Sequence, residues 1–281
     1  MHELVISTGK MEGKASPINF ILRRDALCKV LNHYSEIAIA VSGGIDSMLL
    51  AWLAHRFSTA KIVVFHATSA AVPFASTARV RCYAKRNGWS LQCIDAGEMA
   101  DPFYLGNPVD RCFYCKRNLY GSIGKLTSTP IASGTNVDDL QDYRPGLNAA
   151  EQYSVIHPYV DAGLCKQDIY ALARAHGLDD LALLPAQPCL ASRIETGIPV
   201  EENNLHFIDK VEGMLTKCLP VQASIRCRVT RSGVFFECET LPEGEARHHI
   251  EQWAESICRE VGKSFGGLRK YQRGSAFLLE S

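Results

Sequence analysis

No stretch of the chain approaches the roughly eighteen consecutive apolar residues of a membrane helix, so a spanning segment is not expected. Net charge is missing as well: 30 Lys and Arg balance 30 Asp and Glu over 281 residues, which removes the overall positive field that draws nucleic acid or an anionic membrane. The phosphate-binding pattern Gly-x-x-x-x-Gly-Lys-Ser/Thr does not occur, because Gly262-Lys263-Ser264 has Ile257 where the first glycine would stand. A Gly-x-Gly-x-x-Gly dinucleotide fingerprint is absent too. One Cys-x-x-Cys is present, but no second pair stands at zinc-finger distance. There is no internal repeat and no low-complexity tract.

What is there suits an intracellular enzyme. A hydrophobic content of 47% over 281 residues supports a real core and favours two domains over one. Eleven cysteines are many, yet the number is odd and the chain is neither short nor visibly secreted, so a disulfide scaffold explains them poorly. The expected location is cytoplasmic, with the thiols kept for thiolate chemistry or a metal centre.

The segment Ser42-Gly43-Gly44-Ile45-Asp46-Ser47 follows the apolar run Ile37–Val41 and leads into Met48-Leu49-Leu50-Ala51-Trp52-Leu53. That order reads as strand, glycine turn and helix start. Two glycines let the backbone curl tightly, and small hydroxyl residues leave the amides at the helix N-terminus free for an anion, so a pyrophosphate group is the natural guest. A turn whose glycines serve geometry alone is the plainer alternative.

Along the chain, residues 1 to 16 lack periodicity and read as a loose arm. Helices are expected over 17–34, 77–87, 119–126 and 166–176, and strands over 61–65, 89–94 and 130–133. This alternation predicts an α/β fold, a doubly wound parallel sheet over 17–200 with ligands at the carboxyl ends of its strands. Ser42 and the triplet Gly134-Thr135-Asn136 both fall at such ends. Beyond about Pro199 the pattern changes to a helix over 203–217, strands over 224–230 and 234–239, and a helix over 245–261. A smaller α+β domain at 201–281, holding substrate and oligomer contacts, is the reading of that tail.

Cys112-Phe113-Tyr114-Cys115 lies just before an expected helix, and a third thiol is needed to turn this pair into a cluster site. Cys189, in Pro188-Cys189-Leu190-Ala191-Ser192-Arg193, is the candidate, because a neighbouring arginine favours the thiolate. Three thiolates would leave one iron of a [4Fe-4S] centre open, while half-buried, inert thiols are the other reading. Cys28, Cys82, Cys93, Cys165, Cys218, Cys227, Cys238 and Cys258 sit in apolar or mixed patterns and are expected to pack.

Four segments in order, Ser42 to Ser47, Asn107-Pro108-Val109-Asp110-Arg111-Cys112-Phe113-Tyr114-Cys115-Lys116, Gly134 to Asp139 with Asp142-Tyr143-Arg144-Pro145-Gly146, and Cys189 to Ile194, resemble the LarE family. The resemblance covers about residues 18 to 240. LarE proteins are PP-loop ATP pyrophosphatases that transfer sulfur in making the nickel-pincer nucleotide, turning carboxylates of a pyridinium biscarboxylate mononucleotide into thiocarboxylates. Some members give up the sulfur of one cysteine, at the position of Cys189; others hold a [4Fe-4S] cluster on three. With Cys112, Cys115 and Cys189, this chain is similar to the second kind.

The resemblance implies ATP-dependent, magnesium-requiring sulfur transfer with release of AMP and pyrophosphate. ATP would be held by Ser42, Gly43, Gly44, Asp46, Ser47, Gly134, Thr135 and Asn136; Cys189, Ser192, Arg193 and Glu212 would act in catalysis. Asp46 is expected to cap the next helix rather than bind metal, and Asp138 and Asp139 could do either. Arg226 and Arg228 alternate in a strand and could grip an anionic small-molecule nucleotide together with Arg193; an exposed polar face is the alternative. A sulfur-donor protein or free sulfide would be the partner, the chain is expected to form a homo-oligomer, and nucleic acid is not expected. Many relatives read Asp-Leu-x-Gly-Tyr-Arg-x-Gly-Ser near the end, whereas Gly267-Leu268-Arg269-Lys270-Tyr271-Gln272-Arg273-Gly274-Ser275 lacks the acid and the first arginine. A PP-loop tRNA thiolase, an amide-forming ligase and a nucleotide-binding regulator without turnover remain the alternatives.

Overall fold

Helix α1 (Pro17–Leu31), strand β1 (Glu36–Ala40), helix α2 (Ile45–Phe57), strand β2 (Lys61–Ala67), helix α3 (Phe74–Asn87) and strand β3 (Ser90–Ile94) follow in close succession. A short helix α4 (Pro102–Leu105) and the longer α5 (Arg111–Leu126) then lead to β4 (Ile131–Ala132). The computed structural model describes residues 17–141, 145–186, 188–218 and 225–272. The expected arm at 1–16, Asp142-Tyr143-Arg144 of the third motif, Ser224 at the start of an expected strand, and Gly274-Ser275 lie outside these residues.

The four strands form one parallel sheet in the order β3-β2-β1-β4. Ile39 stands opposite Val64 of β2 on one side and opposite Ala132 of β4 on the other. Side chains alternate across the sheet. Ile37 and Ile39 of β1 and Ile62 and Val64 of β2 enter a core with α1, α2, α3 and the later helices. Ala38, Ala40, Val63 and Phe65 face the other way, against Tyr120 and Ile123 of α5. Both faces are therefore covered by helices, which is the doubly wound arrangement and accounts for the apolar runs Ile37–Ala40 of β1 and Ile62–Phe65 of β2. Because the chain winds out to β3 and returns to β4 beyond β1, the order reverses between β1 and β4. That switch point is where such sheets take ligands.

Four short helices follow, α6 (Pro145–Gln152), α7 (Pro158–Asp161), α8 (Lys166–Ala175) and α9 (Asp179–Ala182). The chain then forms α10 (Glu202–Cys218), β5 (Ile225–Thr230), β6 (Gly233–Cys238), α11 (Gly244–Glu260) and β7 (Phe265–Lys270). β5 pairs antiparallel with β6, and β6 pairs parallel with β7. This second, mixed sheet puts Cys227, Val229, Phe236 and Leu268 into a core with α10 and α11, and that core also receives Ala71, Tyr104 and Leu190 from earlier in the chain.

Two expectations need correction. Helix α5 begins at Arg111, not near residue 119, so Cys112 and Cys115 stand within its first turns. Cys82 and Cys93 are exposed rather than packed, whereas Cys227, Cys238 and Cys258 are buried. Burial raises the thiol pKa of Cys258 to about 11. Strand β7 was not expected, since Gly266-Gly267 weakens any strand pattern. A side chain at Gly266 would run into the ring of Phe235, 2.4 Å from its Cζ, which is why glycine stands there. Among the described residues no helix is long and apolar enough to cross a membrane.

Candidate active site

The loop after β1 enters α2 through Gly44, the N-cap residue, and among the described residues no side chain caps the helix. The amides of the first turn therefore lie open at the switch point, where the helix dipole favours an anion. Inside the loop the hydroxyls of Ser42 and Ser47 stand 3.2 Å apart, and the Ser42 amide donates to Ser47 Oγ at 3.1 Å. Gly43 has φ +88°, and a Cβ there would lie 2.8 Å from Cβ of Ser76 in α3. Only glycine fits both the backbone and the gap.

Gly134, just past β4, lies directly against this loop. A Cβ on it would come within 2.7 Å of the Ser47 amide nitrogen, so the two strand ends meet with nothing between them. Thr135 and Asn136 follow, but Asn136 is buried and busy: its side chain accepts from the Asp138 amide, and Asp139 accepts in return from Asn136. Asp139 thus caps the short turn at 137–140. Asp138 accepts from the Lys166 amide at the start of α8. Of the two roles open to these carboxylates, capping is the one the geometry provides.

Asp46 does not cap α2. It sits in the first turn and pairs with Lys166 Nζ at 2.5 Å. Lys166 went unnoticed in the sequence, where nothing marks it as different from other lysines. Arg79 was missed for the same reason: it lies one turn into α3, and its Nη1 donates to the Gly43 carbonyl at 2.6 Å. Two cations therefore border the loop.

The thiols gather at a second place. Cys112 and Cys115 lie three residues apart on α5, so they share a face, and Cys115 and Cys189 pack against the core of the small sheet. Burial raises the Cys115 thiol pKa, and the Cys189 sulfur adds to that effect as the next largest cause. Among the described residues, no three His, Cys, Asp or Glu side chains are close enough to share one metal ion. Asn107, buried with φ +51°, holds the two thiol-bearing segments together. Its Nδ2 donates to the carbonyls of Glu195 and Ile198, both at 2.9 Å, and its Oδ1 accepts from Arg111.

Three arginines fasten the Cys189 loop. Arg193 pairs with Glu212 through two parallel bonds of 3.0 and 2.9 Å and donates to the Pro188 carbonyl and to Ser192 Oγ. Burial works against its charge, but Glu212 outweighs that and raises its pKa. Arg228 donates to the Ser192 carbonyl and is paired with Glu237. Arg226 donates to the carbonyls of Ala186 and Ile225 and has no carboxylate partner among the described residues. Burial, then Arg193, lower its pKa. Arg226 and Arg228 do share a face, but that face is buried against the loop rather than open.

One segment touches both places. Ser76 lies under Gly43, and a few residues earlier the Ala71 carbonyl accepts from the Leu190 amide at 2.9 Å.

No protein-family model matches the chain. The uncharacterized protein slr1717 of Synechocystis is 30% identical over 192 residues, covering 67% of this chain and 71% of the relative. The chain belongs to the slr1717 family. The uncharacterized protein MJ0830 of Methanocaldococcus jannaschii is 28% identical over 226 residues, or 76% and 84% of the two chains. A more remote homologue is the pyridinium-3,5-bisthiocarboxylic acid mononucleotide synthase of Lactiplantibacillus plantarum, 24% identical over 198 residues, 69% of this chain and 71% of that one. This likeness gives the chain a loose relation to LarE.

Proposed function

We propose that the chain is an ATP-dependent sulfur transferase. It activates a carboxylate of a pyridinium biscarboxylate mononucleotide and replaces an oxygen by sulfur, in the making of a nickel-pincer nucleotide. The observation that carries this reading is the segment from Ala71 to Ser76, which joins an uncapped phosphate loop to a thiol-bearing loop. The remote likeness to the L. plantarum synthase supports the choice of substrate.

In the first step a substrate carboxylate oxygen attacks the α-phosphorus of ATP. The C–O–P bond forms, the α–β bond breaks and pyrophosphate leaves. The open amides of α2, the hydroxyls of Ser42 and Ser47, and the charges of Arg79 and Lys166 would hold the departing phosphates. Asp46, Asp138 and Asp139 already have partners, so magnesium would arrive on the triphosphate and offset its charge. In the second step sulfur attacks the acyl carbon, the C–O bond breaks and AMP leaves. Arg226, a buried cation with no carboxylate partner among the described residues, suits an anionic group of the substrate. Arg193, Arg228 and Glu212 would act by holding the Cys189 loop.

Cys112, Cys115 and Cys189 would hold a [4Fe-4S] cluster. The fit rests on the donor set, three thiols of which two share one face of α5 while Cys115 and Cys189 pack against the same core, the soft ligands an iron–sulfur cluster takes. Such a cluster, when bound, supplies a place to keep sulfide ready for transfer. Incubation with ATP, magnesium, sulfide and the mononucleotide should yield AMP, pyrophosphate and a product in which sulfur has replaced oxygen. Release of ADP in place of pyrophosphate overturns the proposal.

A further inference from the structure

The face of the small sheet that the Cys189 loop covers is unevenly charged. Arg226 of β5 stands opposite Glu237 of β6, and Glu237 stands opposite Arg269 of β7, so the three share one row and one face. Glu237 serves two neighbours: its Oε2 accepts from Arg228 at 2.8 Å and its Oε1 from Arg269 at 2.9 Å. Glu212 is held by Arg193 through both oxygens. Among the described residues, four arginines here meet two glutamates, so two positive charges are left over.

The excess is sharpest at Arg226. The residue is 6% exposed, its guanidinium donates to the carbonyls of Ile225 and Ala186, and it has no carboxylate partner among the described residues. What faces it is a ring: its guanidinium carbon lies 5.6 Å from the ring centre of Tyr271. Tyr271 comes two residues after Arg269, and its amide donates to the Cys238 carbonyl at 2.9 Å, which continues the ladder of β7 and keeps the phenol on the same face. Unlike the arginine, the tyrosine is only partly buried.

A buried cation beside an open aromatic ring suits a ligand that carries both a carboxylate and a ring. We propose that Arg226 and Tyr271 form the subsite for the substrate carboxylate that is not being activated, with the guanidinium on its oxygens and the phenol against the pyridinium ring. This rests on the reading that the acceptor is a pyridinium biscarboxylate. Such a group suits the pair twice, because the tyrosine face attracts a cationic ring and the arginine attracts the acid attached to it. Tyr271 is then the residue that makes the site choose an aromatic acid over a saturated one.

The test is calorimetric titration of the full-length chain with two probes that carry two carboxylates and no phosphate, N-methylpyridinium-3,5-dicarboxylate and cis-cyclohexane-1,3-dicarboxylate. The parent should bind the aromatic probe about tenfold more tightly. Tyr271→Leu should reduce that preference to under about twofold, Tyr271→Phe should keep it, and Arg226→Gln should weaken both probes about tenfold. The melting temperatures of the two tyrosine variants should match the parent, because the ring is partly exposed. Equal affinity of the parent for the two probes, no binding of the aromatic one, or its displacement by inorganic phosphate at equal concentration would each overturn the proposal. So would a preference that survives in Tyr271→Leu or is lost in Tyr271→Phe. The titration needs no ATP, magnesium or sulfide, so a chain that passes it but releases no pyrophosphate would count against the proposed sulfur transfer alone.

Discussion

The Leu190 amide donates to the Ala71 carbonyl at 2.9 Å, so the residue after Cys189 is fixed to the loop that leaves β2. That loop continues into α3, where Ser76 closes on Gly43. On the proposed function, the two loops joined this way would share a rigid backbone rather than mobile side chains, which is how two consecutive reactions can be kept in register.

Gly43→Ala should remove ATP binding before it removes the fold. The left-handed φ costs about 1–2 kcal/mol for a residue with a Cβ, and the 2.8 Å approach to Ser76 adds to it by pushing the loop from α3. Gly88→Ala is the control: its φ is +65° but nothing lies within 4 Å, so only the backbone cost applies. Denaturant titration should rank Gly43→Ala as the less stable, and calorimetry should show ATP binding lost in that variant alone.

Breaking the Arg193–Glu212 pair should be expensive. The arginine is 2% and the glutamate 14% exposed, and Glu212 also accepts from the Cys227 amide. Glu212→Ala leaves a buried guanidinium without its charge partner and should cost about 3–5 kcal/mol in urea titration. Arg247→Ala, which removes an exposed i,i+4 pair with Glu251, should cost under about 0.5 kcal/mol. Similar losses at the two sites would refute the distinction drawn from burial.

Asn107 combines a left-handed backbone with donor bonds to two carbonyls of the segment after Cys189. Asn107→Gly keeps the backbone easy but loses the bonds, and Asn107→Ala loses both. The alanine variant should therefore be the less stable by about 1 kcal/mol, with both well below the parent. Equal stability of the two variants would show that φ at this position carries no strain.

The strand–turn–helix at Ser42 to Ser47 was legible in the sequence because its signal is local: a strand, two glycines and a helix within a dozen residues. The doubly wound sheet followed from alternation that both faces then explained. The tail was harder, since β7 contains a glycine pair needed for the Phe235 ring and so hides its strand character. The arginines show a different limit. Their alternation placed Arg226 and Arg228 on one face, but a strand pattern says nothing of what covers that face, and the covering loop comes from residues 186–193. Arg79 and Lys166 had no signal at all, because each gains its meaning from a contact far along the chain.

His66 should make the fold sensitive to mild acid. It is fully buried, its Nδ1 lies 2.7 Å from the Val41 carbonyl and its Nε2 2.9 Å from Thr77 Oγ1, so the neutral ring donates at one nitrogen and accepts at the other. Burial lowers its pKa, the Val41 bond works the other way, and Arg81 lowers it further. The native state thus resists a proton that the unfolded chain takes up near pH 6.5. Stability from this group is whole above that pH and is lost as pH falls below it, by at most about 1.4 kcal/mol per unit. His55, His157 and His176 are lowered by burial too and should deepen the slope. Melting temperatures taken from pH 7.5 down to 5 should fall, and His66→Gln, which can donate and accept in the same places, should fall less steeply. Parallel slopes for parent and variant would show that His66 binds its proton equally in both states.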